Sequence, residues 1–187
     1  MTTLVAGLVI FFAVHTFTMF RGARDQLVAK LGPLPYRGLY SLISIAGFVL
    51  LVMGYADAPR IAVWAPPIWM RHVTMLLMLP VFILLPAMYL PGYIKARVKN
   101  PMLIAVKTWA FAHLLINGDL ASILLFGSFL VFCVVDLIVV KRTGRSPVVA
   151  EPKAVYDVVA VVAGLGIYVL IAAWAHVYIA GVPVMVL

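Results

Sequence analysis

Long apolar runs separated by short polar segments make up most of this chain. Six of the runs predict transmembrane helices, at residues 3–20, 38–56, 70–90, 101–117, 120–140 and 155–179. Each run is near the length of about 20 apolar residues that a helix needs to cross a bilayer. The fourth run is the shortest, because Asn100-Pro101 begins it and Asn117-Gly118-Asp119 ends it. We therefore expect the fourth helix to lie inside the bundle.

Composition places the chain among membrane proteins. Hydrophobic residues account for 66% of its 187 positions and charged residues for 11%. Typical soluble domains carry about 25% charged residues, and a soluble domain of this size cannot bury so much apolar surface. We predict one all-α domain over residues 1–187. It is a polytopic membrane helical bundle with about six transmembrane helices in a lipid bilayer.

The basic residues lie mainly on one side of the predicted membrane. Only Arg60 and Arg71, of the 14 lysines and arginines, fall on the other side. The positive-inside rule then predicts a cytoplasmic basic side and both termini on the outer side. Because the basic residues form short clusters between apolar runs, they fit an anionic membrane surface and not a nucleic-acid interface. The first basic loop contains the turn-rich segment 31–36, which we expect to be rigid.

Two histidines lie within apolar runs, where polar groups are costly and indicate a function. His15 lies in the first run, and His113 in the fourth shares a helical face with Trp109 and Asn117. Two neutral imidazoles on facing helices are what an iron cofactor inside a bundle requires. His15 lies about 9 Å from the basic side and His113 about 18 Å, so the two meet only with suitable tilt. The alternative is that each forms a hydrogen bond between helices.

Other polar positions allow further interpretations. His72 and His176, at the outer ends of two runs, are expected to have a structural or solvated role, and a shallow metal site formed by the two is the alternative. Asn117 is expected to orient the imidazole one turn before it or to cap the short helix. Pro80 and Pro86 lie inside the third run and should open space there for a ligand or another helix.

Charged residues near the membrane suggest two pairs. Lys107 and Asp136 fit a structural ion pair or two side chains that snorkel to the membrane surface. Asp119 is expected to pair with Arg60 or Arg71, or to cap the helix that follows it.

Several segments resemble the NnrU family of bacterial membrane proteins, and the likeness covers nearly the whole chain. They are Val14-His15-Thr16 with Arg21 and Arg24, Leu31-Gly32 with residues 36–41, Asn100-Pro101-Met102, and residues 109–119. The last segment is the most specific. NnrU proteins are associated with nitric oxide and nitrite metabolism in denitrifying bacteria. The resemblance implies a multi-pass protein of the bacterial inner membrane.

The same family includes, more distantly, the plastid zeta-carotene isomerases, which isomerise a cis double bond of a carotenoid and carry haem b. Their haem ligands are two histidines in segments that match those of His15 and His113. The resemblance thus implies haem b with His15 and His113 as metal ligands. The isomerase cysteine implicated in a redox-dependent ligand switch is Ala110 here, so the switch cannot operate in that form. Arg21 and Arg24 are expected to pair with the haem propionates, and Asn117 completes the expected cofactor-binding set.

Three functions follow as hypotheses. The first is an accessory protein or redox sensor for nitric oxide metabolism or electron transfer, working with a membrane respiratory or nitric oxide reductase complex. The second is a redox-dependent isomerase or oxidoreductase that acts on a hydrophobic small molecule such as a polyene. The third is a cofactor-free bundle that assists the assembly of another membrane complex.

Overall fold

Each of the six apolar runs forms a helix, and shorter helices occupy two of the links. The computed structural model describes residues 1–184 and is 76% helical, with no strand in that range. The last three residues of the predicted domain, 185–187, lie outside the described residues. The helices are α1 (Thr2–Phe17), α2 (Arg21–Leu31), α3 (Pro33–Ala56), α4 (Met70–Ala87), α5 (Tyr93–Val98), α6 (Pro101–Leu114), α7 (Leu120–Arg142), α8 (Ala154–Leu170) and α9 (His176–Ala180), with a π-helical turn, Ile171–Ala175, between the last two.

Four helical segments are long and apolar enough to cross a membrane. They are Pro33–Ala56, Met70–Ala87, Leu120–Arg142 and Ala154–Ala180, and the bent pair α1 and α2 would add a fifth. These apolar helices indicate a bilayer environment. Fewer of them are long and apolar enough to cross it than the six that the sequence predicted. Helix α6 falls short because its 14 residues extend only about 21 Å, against a hydrocarbon core of about 30 Å.

The helices do not follow chain order across the bundle. Helix α1 packs mainly on α3 and less extensively on α7, whereas α6 packs between α7 and α4 and α8 packs on α4. The spatial order is therefore α3, α1, α7, α6, α4, α8. The first and fourth apolar helices, α1 and α6, are thus not the direct neighbours that a shared cofactor between them requires. Helix α7 separates them because it contacts both.

Short links make neighbouring segments antiparallel, so the two ends of the bundle differ. The amide of Lys153 donates to the carbonyl of Pro91 at 3.1 Å, which places the start of α8 beside the end of α4. We call this end the basic end and the opposite one the far end. The basic end carries Arg21, Arg24, Lys30, Arg37, Lys95, Arg97, Lys99, Lys141, Arg142, Arg145 and Lys153.

The first basic link is a helix and not the loop that the sequence suggested. Helix α2 is bent by 88° from α1 and carries basic residues along with apolar ones. Gly32, with a φ of 85°, ends it, and glycine adopts that positive φ without steric cost. Pro33 then begins α3, where a fixed φ and a missing N–H suit the first helical turn.

The prolines inside α4 admit another helix. Pro86 has no N–H, so the carbonyl of Phe82 lacks its helical partner. Gly164 of α8 lies against this stretch, and a Cβ there would be 2.7 Å from the Phe82 carbonyl oxygen. The space expected near Pro86 is therefore filled by the close approach of α8.

Candidate functional site

His15 lies in an aromatic environment near the basic end of α1. Its Nδ1 is 2.6 Å from the carbonyl oxygen of Phe11, one turn earlier. The imidazole stacks on the Phe11 ring with centroids 4.1 Å apart. Tyr40 of α3 and Phe132 of α7 approach it edge-on, at 5.5 Å and 6.1 Å. The ring therefore sits where α1, α3 and α7 meet.

His113 has a similar environment near the far end of α6. Its Nδ1 is 2.9 Å from the carbonyl oxygen of Trp109, again one turn earlier. The imidazole stacks on Phe126 of α7 with centroids 4.7 Å apart, and the Trp109 ring lies 5.2 Å away. Both histidines thus bond to their own helix and stack on a phenylalanine.

These hydrogen bonds fix the chemistry of each ring. A carbonyl oxygen only accepts, so Nδ1 must carry the proton in both histidines. In a neutral imidazole the lone pair is then on Nε2, which is the state that binds a metal while the other nitrogen is held by a backbone carbonyl. Within residues 1–184, neither Nε2 forms a hydrogen bond with the protein. The donor chemistry fits an iron cofactor.

The positions of the two rings fit a shared metal less well. Phe129 of α7 lies between them, with its ring 5.7 Å from Phe11 and 5.6 Å from Trp109. A metal needs both ligand nitrogens at about 2 Å from one point. The rings of Phe11, Phe129 and Trp109 form a chain of contacts that connects the two imidazoles. Ligation of one iron by both histidines would require these rings to rearrange.

The two arginines expected near a cofactor lie on α2. Arg21 is its first residue, and Arg24 pairs with Asp25 at 2.8 Å. The Arg24 guanidinium also lies 5.8 Å from the centroid of the Tyr36 ring. Since α2 turns away from α1, these cations flank the α3 side of α1 and not His113.

Asn117 caps α6. Its side-chain amide donates to the carbonyl oxygen of His113 at 2.9 Å, which also accepts from the backbone amides of Ile116 and Asn117 in the last turn. It does not contact the imidazole nitrogens through that bond. Of the two roles expected for Asn117, the structure supports the cap.

The far end is held by polar contacts around Asp119. This carboxylate caps α7 by accepting from the amide and hydroxyl of Ser122, at 3.0 Å and 2.5 Å, and pairs with Arg60 at 3.4 Å. Both of these expected roles are confirmed. Burial opposes ionisation of Asp119, but the bonds from Ser122 and the charge of Arg60 hold its pKa below the usual value. Ser122 is also 2.9 Å from the hydroxyl of Tyr55 on α3.

A loop between α3 and α4 folds onto the same end. The amides of Val63 and Trp64 both donate to the carbonyl of Gly118, at 2.8 Å and 3.1 Å. A Cβ on Gly118 would collide with the carbonyl oxygen of Trp64, so glycine is required for this contact. The loop at Val63 and Trp64 thus packs on the end of the fourth run at Gly118 and covers that part of the far end.

Other candidate groups stay apart. Lys107 and Asp136 form no ion pair. The salt bridges among the described residues are Arg24–Asp25 and Arg60–Asp119. His176 donates from Nδ1 to the carbonyl of Val182 at 2.6 Å, and no contact among residues 1–184 joins it to His72. Across residues 1–184, no group of three or more His, Cys, Asp or Glu side chains comes together in a way that would hold a metal ion.

The structure has a groove between α1 and α7 that the sequence analysis did not predict. It encloses about 510 Å³, and the residues along it include Phe12, Thr16, Gly127, Ser128, Phe132 and Val135. Phe132 also contacts His15, so one wall of the groove borders the histidine, although His15 itself does not line it. The sequence feature that could have indicated the groove is the pair Gly127 and Ser128, two small residues in an otherwise bulky apolar helix. We call this cavity the α1–α7 groove.

The comparisons with known proteins agree with the resemblance seen in the sequence. The family model described as NnrU protein matches residues 3–184. The chain belongs to the NnrU family. No curated protein and no solved structure matches it. The match covers α1 to α9, so the histidines, the far-end cap and the α1–α7 groove of this NnrU protein all lie within the family domain.

Proposed function

We propose that this NnrU protein binds haem b in the membrane, with His15 and His113 as ligands of the iron. We propose that it serves nitric oxide or nitrite metabolism as an accessory protein or redox sensor. The proposal rests on one observation, which is that the two imidazoles form the same hydrogen bond with their own helices. Each donates from Nδ1 to a backbone carbonyl one turn earlier and keeps Nε2 as a free lone pair. Buried histidines that only joined helices would bond across to a neighbouring helix instead.

Two features around the histidines bear on this proposal. Helix α1 packs less extensively on α7 than on α3, and the Phe129 ring, which contacts both Phe11 and Trp109, would have to rearrange for both imidazoles to reach one iron. Arg21, six residues after His15, is the nearest following cation for a propionate. When bound, haem iron would supply one-electron chemistry and a binding position for nitric oxide.

The proposal extends to placement in the cell. With the basic end in the cytoplasm, all six apolar segments would cross the bacterial inner membrane, and both termini would lie outside. Helix α6 can be short because α4 and α7 flank it on both sides. A respiratory or nitric oxide reductase complex in the same membrane is the partner that this function calls for.

Absorbance of the purified protein tests the haem. We expect a Soret band for protein grown with ample haem, and loss of the six-coordinate spectrum in His15→Ala and His113→Ala. His72→Ala and His176→Ala are matched controls and should keep the spectrum. Because an alanine variant can fail to fold, His15→Met provides a second readout. Methionine in place of an axial histidine keeps the ligation and raises the reduction potential.

Two results would contradict this proposal. A colourless, well-folded protein would favour the cofactor-free assembly factor. A spectrum that survives both alanine substitutions would place the iron elsewhere.

A second function, isomerisation of a polyene, is favoured by the shape of the α1–α7 groove. This cavity is apolar along most of its length and lies beside His15, which is the arrangement that a hydrophobic substrate of a haem enzyme would need. Incubation with a cis-carotenoid under reducing conditions tests it. An enzyme should change the isomer ratio, and Gly127→Phe, which fills the groove, should stop the change while leaving the Soret band intact.

A further inference from the structure

A second cavity lies on the other side of α1, beneath α2. It encloses about 400 Å³ and is lined by apolar side chains from three helices. These include Ile10, Val14 and Phe17 of α1, Leu27 of α2, and Leu39 and Ile43 of α3. We call it the α2 groove. Its lining shares no residue with that of the α1–α7 groove, and Tyr40, which also lines it, contacts His15.

One polar group in the wall of the α2 groove has no partner. Tyr36 lines the groove and is only 8% exposed. Its hydroxyl is buried and forms no hydrogen bond with any described residue. Buried polar groups are nearly always bonded, because an orphan hydroxyl loses its water without compensation. Tyr36 therefore brings an unpartnered hydroxyl to the wall of the groove, where a ligand with an acceptor group would satisfy it.

Cations stand at the mouth of the same groove. The Arg24 guanidinium lies 5.8 Å from the centroid of the Tyr36 ring, and Arg21 begins the same helix. Asp25 pairs with Arg24 at 2.8 Å but is exposed, so it offsets only part of the positive charge. With Lys30 and Arg37 nearby in sequence, the mouth is complementary to an anion.

The charged, polar and apolar groups of the α2 groove follow one another along the membrane normal. Helix α2 is bent by 88° from α1, so with α1 along the membrane normal it would lie along the membrane surface like an interfacial amphipathic helix. Tyr36 lies about 4.5 Å inside the start of α3, and Ile43 about 15 Å inside. Cations, then a hydroxyl, then an apolar channel match the phosphate, the glycerol esters and the acyl chain of a phospholipid.

We propose that the α2 groove is a binding site for one anionic phospholipid from the leaflet at the basic end. The phosphate contacts Arg24, a glycerol ester carbonyl accepts from the Tyr36 hydroxyl, and an acyl chain lies against α1 and α3. A zwitterionic lipid has the same esters and chains but no net charge for the basic mouth to neutralise. Charge is therefore the property that this site selects.

Native mass spectrometry of the full-length protein in detergent tests the site. Phosphatidylglycerol and phosphatidylcholine with identical acyl chains serve as probes, and the bound mass identifies the lipid. We expect the wild type to retain one phosphatidylglycerol in preference to phosphatidylcholine. Arg24→Gln should lower this preference by about fivefold, the effect of one basic residue at an anionic surface. Arg142→Gln, at the basic end of α7, is the matched control and should change nothing.

Two further variants separate the hydroxyl from the channel. Tyr36→Phe should weaken retention of both lipids by about threefold, since it removes one hydrogen bond, whereas Tyr89→Phe, which alters an exposed tyrosine, should not. Ala13→Phe places a ring in the groove from an exposed position of α1 and should abolish retention. Equal retention of the two lipids by the wild type would overturn the proposal, as would full retention by Ala13→Phe. Neither result depends on whether haem is bound, because the readout is lipid mass and not absorbance.

Discussion

Helix α1 faces two neighbours in different ways. Against α3 it packs backbone to backbone. A Cβ on Gly47 would lie 2.8 Å from the amide nitrogen of Phe11, and one on Gly54 would collide with the backbone of Leu4. Against α7 it meets large aromatic side chains, and the α1–α7 groove of about 510 Å³ remains. One side of the helix is thus fixed and the other is open.

The difference has a physical reason. Lipid tails are as apolar as leucine, so helices in a membrane associate through close packing of small residues and not through the hydrophobic effect. Glycines allow that approach between α1 and α3. Between α1 and α7, Phe12 and Phe129 contact edge-on with centroids 4.9 Å apart, which holds the backbones apart. The contact between α1 and α7 is therefore looser than that between α1 and α3, and His15 lies on that boundary.

Gly54→Ala tests the fixed side and should have the largest effect. The added methyl would meet the backbone of Leu4, so α1 and α3 must separate. We expect a loss of about 1–3 kcal/mol in the free energy of unfolding, typical of overpacking. Far-UV circular dichroism during titration of the detergent-solubilised protein with sodium dodecyl sulfate measures it. Unchanged stability would show that the glycine contacts do not fix α1.

Asp119→Asn tests the cap that holds α7 to α3 on the open side of α1. Because the pKa of Asp119 is lowered on folding, its ionised form contributes stability that is present above the unfolded pKa of about 3.9 and is lost as pH falls through the folded pKa. We expect the variant to be less stable by about 1 kcal/mol at pH 7. The gap to the wild type should shrink as the pH approaches 3 in the same titration.

The exposed pair of Arg24 and Asp25 provides the control for that experiment. Surface ion pairs contribute little to stability, so Asp25→Asn should leave the titration curve unchanged at both pH values. A gap for Asp119→Asn that does not change with pH would assign its effect to shape and not to charge.

The sequence predicted the helices well because apolar length is a local property. The fourth run, 101–117, corresponds to α6 at Pro101–Leu114, and the fifth, 120–140, to α7 at Leu120–Arg142. Helix α2 was missed, since a short segment with few apolar residues resembles a loop when its contact with α3 is unknown. The cap by Asp119 was predictable because Ser122 follows it three residues later.

The order of the helices was not accessible in the same way. Alternating antiparallel helices satisfy the charge pattern whether α1 lies beside α6 or beside α7. The contacts that decide between them involve side chains far apart in sequence, such as Phe12 with Phe129. The two histidines were correctly placed in apolar helices, but their separation by α7 depends on that order. Ligation of one iron by both stays a prediction.

Gly127→Ala is the matched substitution on the open side and should have the smallest effect. Gly127 lines the α1–α7 groove, and a Cβ there would meet nothing within 4 Å. Replacing glycine by alanine inside a helix without a clash reduces the freedom of the unfolded chain, so we expect a gain of about 0.5 kcal/mol. The opposite signs of Gly54→Ala and Gly127→Ala, measured in the same sodium dodecyl sulfate titration, would establish that α1 is fixed on one side and free on the other. A loss for Gly127→Ala as large as that for Gly54→Ala would mean that the groove is closed in the membrane.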